Sequence, residues 1–143
     1  MNSVRERAGK ARQAARILAA SQSQNRRKAL EAVAIAMKEH RTSILNANQR
    51  DIAVARKLVE AGKLSTPLLN RLDLGGNKFD SVISMIDSIV SQPEPLEITS
   101  MAMELDDGLN LFRVSVPIGV IGVIFESRPD ALVQIACLCL KSG

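Results

Sequence analysis

Glu126, Ser127, Arg128, Pro129 and Asp130 follow one another in the sequence, so a carboxylate, a hydroxyl and a guanidinium come just ahead of a proline. A guanidinium presents a rigid fork of donors that fits the oxygens of a phosphate or carboxylate. A second reading is equally chemical: Glu126 and Arg128 can brace the loop as an ion pair. Cys137 and Cys139 are the only thiols, and the only histidine, His40, lies far from them in sequence. Positions two apart fall on nearly opposite sides of a helix, so a disulfide between them is poor and buried structural thiols are expected. His40 reads as a surface residue at a helix end.

The elements around the loop decide what those groups can do. From Ile118 to Phe125 the run IGVIGVIF is apolar on both faces, the pattern of a strand covered on both sides in a parallel sheet. Gly119 and Gly122 point to opposite faces of such a strand, which fits close approach of a backbone or ligand on each and equally close packing of helices alone. After the loop, ALVQIACLCLKSG reads as a buried helix with Pro129 in its first turn, which restrains Arg128 to extended geometry. Strand, loop and helix put the polar groups at the carboxyl end of a parallel strand, where open α/β sheets bind ligands. The full G-x-G-x-x-G dinucleotide fingerprint is absent. A parallel strand needs a second beside it, so the chain reads as the front of a larger protein.

Upstream the period is helical. Ser3 and Glu6 form a capping-box pattern, and Val4, Ala8, Ala11, Ala15 and Leu18 make one apolar stripe to about Ala20. Ser21 to Gln24 repeats the box ahead of Leu30, Val33 and Met37, and a third stripe of Leu45, Ile52, Ala55 and Val59 stops at Gly62. Thr66-Pro67 opens a short helix through Leu72, with Thr66 as N-cap, and Gly75-Gly76 breaks it. Phe79, Val82, Ile83, Ile86 and Val90 mark a longer helix stopped by Pro93 and Pro95. Between Ile98 and Val116 the period becomes two, with Asp106-Asp107-Gly108 turning Met101–Leu105 back onto Leu109–Val116, and Phe112, Val114 and Val116 on one face. The fold class expected is α/β: residues 1–97 helical, 98–116 an extended β arm, and 117–143 the start of a dinucleotide-binding α/β domain.

With 46% hydrophobic residues but only three Phe and no Trp or Tyr, the core must be aliphatic. Residues 1–63 hold 14 Lys/Arg against 5 Asp/Glu, and residues 64–143 hold 5 against 10. A basic helical half invites a nucleic-acid reading. No aromatic residue precedes Phe79, however, so stacking platforms for single strands are missing, and the cations are spread over three helices as on a solvated face. The Arg- and Ala-rich opening resembles a transit peptide, but the Ser3 capping box favours a folded helix. No apolar run reaches the roughly 18 residues of a membrane span. A soluble, cytoplasmic protein without nucleic-acid or membrane partners is expected.

The run PIGVIGVIFESRPDALVQIACLCLKSG resembles the first strand, loop and helix of the gamma-glutamyl phosphate reductase family, a branch of the aldehyde dehydrogenase superfamily. The likeness extends through ILNANQRDIAVAR, LLNRLDL and ELDDGLNLFRVSVPIGVIGV, and DALVQIA is similar to the reductase half of the bifunctional pyrroline-5-carboxylate synthases as well. The resemblance implies a proline-biosynthesis enzyme that reduces L-glutamyl 5-phosphate with NADPH to L-glutamate 5-semialdehyde and phosphate, through attack of a cysteine thiolate on the acyl phosphate. It places Arg128 where relatives hold their oxyanion-stabilising side chain, and Phe125, Glu126 and Ser127 beside the nicotinamide ribose. Neither Cys137 nor Cys139 matches the nucleophile's motif. No catalytic residue is therefore assigned within the chain, which alone is expected to be inactive. The arm implies a homo-oligomer. The alternative is a non-catalytic helical module that associates through its β arm.

Overall fold

A computed structural model describes residues 3–143. Its elements in chain order are α1 (Val4–Ala19), α2 (Ser23–Glu39), α3 (Arg41–Glu60), α4 (Thr66–Leu72), α5 (Lys78–Ser91), β1 (Thr99–Asp106), β2 (Leu109–Val114) and α6 (Pro129–Lys141). The fold mixes helices with one two-stranded antiparallel sheet.

α5 is the centre because its sequence is the most evenly apolar along one stripe. Phe79, Val82, Ile83, Ile86 and Ile89 are all buried, against Leu30 and Ala34 of α2, Leu74 of the α4–α5 corner and Cys137 of α6. Each such side chain removed from water contributes roughly 1.5–3 kcal/mol. Buried polar groups tie the ends together. Lys141 Nζ donates to the Gln92 carbonyl at 2.8 Å, satisfying an acceptor at the carboxyl end of α5. Arg26 is 3% exposed on α2, pairs with Glu94 at 2.7 Å and also donates to the Ser21 carbonyl. The three predicted N-terminal helices form, but their caps differ from expectation. Ser3 Oγ accepts from the Glu6 amide at 3.2 Å as the capping box requires, while Glu6 turns to Lys10. The second box is not made: Ser21 Oγ donates back to the Leu18 carbonyl, which closes α1 instead, and Gln22 takes the N-cap without a side-chain bond. Ser65, not Thr66, is the N-cap of α4.

The hairpin turns at Gly108, whose φ of +73° suits glycine, with Ala102 opposite Phe112 and Met103 opposite Leu111. Its ladder continues to Glu97 and Ser115, but β2 ends at Val114, short of Val116.

Residues 118–125 do not form the parallel strand expected of them. They make no backbone hydrogen bond, and Ile118, Val120, Ile121, Val123, Ile124 and Phe125 are exposed. A strand is held by ladder bonds to a neighbour, and no described residue supplies one. The glycine reading changes with it. Apart from the glycine itself and its chain neighbours, no described residue has an atom within 4 Å of a Cβ built at Gly119 or Gly122. What requires glycine at 119 is its φ of +112°.

Candidate functional site

The loop that carries Arg128 is shaped by two residues. Ser127 has a φ of 48°, a left-handed conformation unfavourable for a side-chain-bearing residue, and Pro129 opens α6. Arg128 between them is the N-cap, at φ −136° and ψ 83°, outside the α region that a following proline disfavours but short of the fully extended geometry expected of it. Its Nη2 donates to Asp130 Oδ2 at 3.0 Å. That hydrogen bond holds the Asp130 carboxyl below the usual carboxylate range and raises the Arg128 guanidinium. The bracing pair is therefore Arg128–Asp130 rather than Glu126–Arg128. Asp130 lies in the first turn of α6, whereas the left-handed turn at Ser127 separates Glu126 from the guanidinium.

Arg128, Asp130 and Gln134 form one side of a cavity of about 440 Å³. The same cavity is lined by Asn70 and Arg71 from α4, Asp73 from the corner, and Lys78 and Ser81 from α5, with Leu74, Val82 and Met85 as its apolar lining. The volume lies within the range of small-molecule sites, as does this mix of apolar lining and a few charges. The corner is held from below by Asn48, which is buried on α3. Its Nδ2 donates to the Leu72 carbonyl at 2.8 Å, and its Oδ1 accepts from the Leu74 amide at 2.9 Å. Asp73 Oδ1 accepts from the Gly75 amide at 2.7 Å, and Lys78 Nζ donates to the Asn70 carbonyl at 2.7 Å.

Of the binding residues expected from the sequence, Phe125, Glu126, Ser127 and Arg128, only Arg128 lines this cavity. Phe125, Glu126 and Ser127 precede it in the chain and are not among its lining residues. Arg71, Asp73 and Lys78 were missed. Their signal was a polar series, NRLDLGGNK, flanking a Gly-Gly break, where the helical pattern alone was read.

The cysteines lie elsewhere. Cys137 is 2% exposed within the core, where burial pushes its thiol pKa up, and Cys139 lines a separate apolar groove of about 600 Å³ with Ala15, Leu18 and Gly119. At roughly 1.5 Å per helical residue they stand about 13 Å and 16 Å along α6 from Arg128. Neither thiol reaches a carbonyl carbon held at Arg128. His40 is exposed at the α2–α3 junction. Among the described residues no three His, Cys, Asp or Glu side chains group as a metal site, and no helix is long and apolar enough to cross a membrane.

No family model matches the chain. It is 51% identical over 133 residues to the gamma-glutamyl phosphate reductase of Natronomonas pharaonis, covering 93% of this chain and 30% of that protein. It is 44% identical over 142 residues to that of Methanosarcina mazei, covering 99% of this chain and 32% of the relative. The crystal structure of gamma-glutamyl phosphate reductase from Saccharomyces cerevisiae superposes with a TM-score of 0.91 at 38% identity, covering 99% of this chain and 35% of that one. The Thermotoga maritima enzyme of the same name gives 0.88 at 33% identity, with 99% and 33% covered. The chain thus spans about a third of the length of the relatives it matches. In sequence and in backbone these 143 residues are similar to the N-terminal part of gamma-glutamyl phosphate reductases.

Proposed function

We propose that the Arg128 loop is one wall of an active site that reduces L-glutamyl 5-phosphate to L-glutamate 5-semialdehyde and phosphate with NADPH, a step of proline biosynthesis. The observation that carries this reading is the placement of Arg128. An exposed guanidinium, held by Asp130 through one donor only, stands at the rim of a small-molecule-sized cavity and at the N-terminus of α6. Donors so placed favour anions, and their value rises where negative charge develops on an acyl oxygen or a departing phosphate. Arg128 binds and orients the acyl phosphate, and Asp130 keeps the guanidinium aimed while the cavity is open.

Phe125, Glu126 and Ser127 offer an exposed ring, a carboxylate acceptor and a hydroxyl on one continuous loop, a set that fits the nicotinamide-ribose end of NADPH, whose ribose hydroxyls donate to carboxylates. When bound, that cofactor supplies the hydride. The thiolate that attacks the acyl phosphate is assigned to residues outside these 143, because Cys137 is a buried neutral thiol and Cys139 faces a different groove. The chain alone is inactive in this reading. Its free thiols fit the reducing cytoplasm.

The test joins these 143 residues to the remaining two thirds of the Methanosarcina mazei relative and follows the reverse reaction, phosphate-dependent reduction of NADP by the semialdehyde. The chain alone gives no turnover, the chimera does, and Arg128→Gln in the chimera lowers kcat with the circular dichroism spectrum unchanged. A fully active Arg128→Gln chimera refutes the role.

The hairpin supports the further reading that the protein associates with a second copy. Leu105, Leu109, Leu111 and Phe112 are exposed on a two-stranded sheet whose outer edges are unpaired among the described residues, a form marginal in isolation. The same surface would serve a purely non-catalytic interaction module.

A further inference from the structure

A gamma-glutamyl phosphate carries two recognisable ends. Arg128 suits the acyl phosphate; the other end bears an α-ammonium and an α-carboxylate, one charge of each sign. The α4–α5 corner presents that complement in the same cavity as Arg128. Arg71 lines the cavity and makes no hydrogen bond or ion pair among the described residues. Asp73 lines it too, and only its Oδ1 is engaged, by the Gly75 amide, so its Oδ2 retains acceptor capacity. Gly75 is part of this seat: a Cβ there would stand 2.9 Å from Asp73 Oδ1. Lys78, by contrast, is tied to the Asn70 carbonyl. Beneath the corner, Asn48 spends its amide on the backbone either side of Asp73, which fixes where the carboxylate stands.

We infer that this corner is the amino-acid recognition site: Arg71 takes the α-carboxylate and Asp73 the α-ammonium, so that acyl phosphates lacking the ammonium are rejected. The inference rests on the reading in which Arg128 holds the acyl phosphate. A bidentate guanidinium for a carboxylate and a carboxylate for an ammonium are the charge-assisted pairings that discriminate most sharply, because each leaves a charge unpaired when its partner is missing.

The experiment titrates the 143-residue chain, followed by amide chemical shifts, with L-glutamate, with glutarate, which lacks the ammonium, and with inorganic phosphate. L-glutamate moves the amides of residues 71–78, and glutarate does so about tenfold more weakly, the loss expected for one charge-assisted hydrogen bond. Asp73→Asn keeps the oxygen that Gly75 needs and abolishes the preference for glutamate. Arg71→Gln weakens both dicarboxylates, and Arg71→Lys restores part of the binding. Equal binding of glutamate and glutarate, shifts confined to other residues, no shift at all, or an unaffected Asp73→Asn overturns the inference. Phosphate reports on the other reading independently, through shifts at Arg128 and Ala131. Their presence without a glutamate response defeats the corner alone, and their absence beside a glutamate response defeats the Arg128 assignment.

Discussion

Arg128 donates from Nη2 to Asp130 Oδ2 at 3.0 Å, across the proline that starts α6. The bond lowers the Asp130 pKa, with desolvation opposing it as a smaller effect. A carboxyl depressed on folding stabilises the folded state above its unfolded pKa of about 3.9, and that contribution is lost as pH falls through the folded value. Side-chain carboxyl shifts should therefore show Asp130 titrating below the ordinary aspartate range, and Arg128→Gln should move its midpoint back up. An unchanged midpoint means that the pair does not persist in solution. Asp130→Asn should also tighten inorganic phosphate at Arg128, since it removes both a competitor and a like charge.

Asn48 makes the second checkable contribution. It is buried, and its two bonds to Leu72 and Leu74 are the means by which α3 holds the α4–α5 corner of the cavity. Asn48→Leu strands a buried carbonyl and amide, at a cost of about 2–4 kcal/mol. Urea unfolding measures that loss. A cost below about 0.5 kcal/mol, the ordinary size of a surface substitution, would show that water replaces the amide there.

The helices were legible because each carries one apolar stripe, and α5 with Phe79, Val82, Ile83 and Ile86 is the clearest. The hairpin was legible from its period and from Asp106-Asp107-Gly108. Three things were not. Arg26 sits on the same stripe as Leu30 and Ala34, yet a lone cation on a basic helix reads as solvated until Glu94, 68 residues on, is seen to meet it. Residues 118–125 have the composition of a buried strand, but composition does not supply a neighbouring strand, and among the described residues they stay unpaired. The cavity itself needs α4, α5 and α6 together. Arg128 could be singled out locally, whereas Arg71 and Asp73 acquire meaning only when the α4–α5 corner is brought to the same cavity.

Cys137 supplies a prediction about chemistry that should not occur. Burial raises its thiol pKa and the side chain is 2% exposed, so the thiolate is scarce and inaccessible. A disulfide reagent should modify Cys139 first and Cys137 only at the rate of local opening. Because the folded pKa is raised, the stabilising effect of the neutral thiol is present below the ordinary thiol pKa and lost as pH rises through the folded value. Cys137→Ala should remove that part of the alkaline decline in stability. Fast modification of Cys137 at neutral pH would contradict both its burial and the assignment of the nucleophile elsewhere.

Association through the hairpin can be resolved face by face. Leu111 and Phe112 are adjacent in β2, so their side chains leave opposite faces of the ribbon, beside Met103 and Ala102 respectively. If one face packs on a second copy, a lysine on that face disrupts the contact by burying an unpaired charge, and a lysine on the other face does not. Sedimentation across a wide concentration range should show self-association of the 143-residue chain and its loss in either Leu111→Lys or Phe112→Lys, but not both. Association that survives both substitutions would point to edge-to-edge pairing, which uses backbone donors and acceptors and is indifferent to either face. Proline in place of Asn110 or Leu111 would then distinguish the edge of β2 from that of β1, because the amide of one points to the partner strand and that of the other to the open side. A chain that stays monomeric at every concentration ends the proposal that this surface joins two copies.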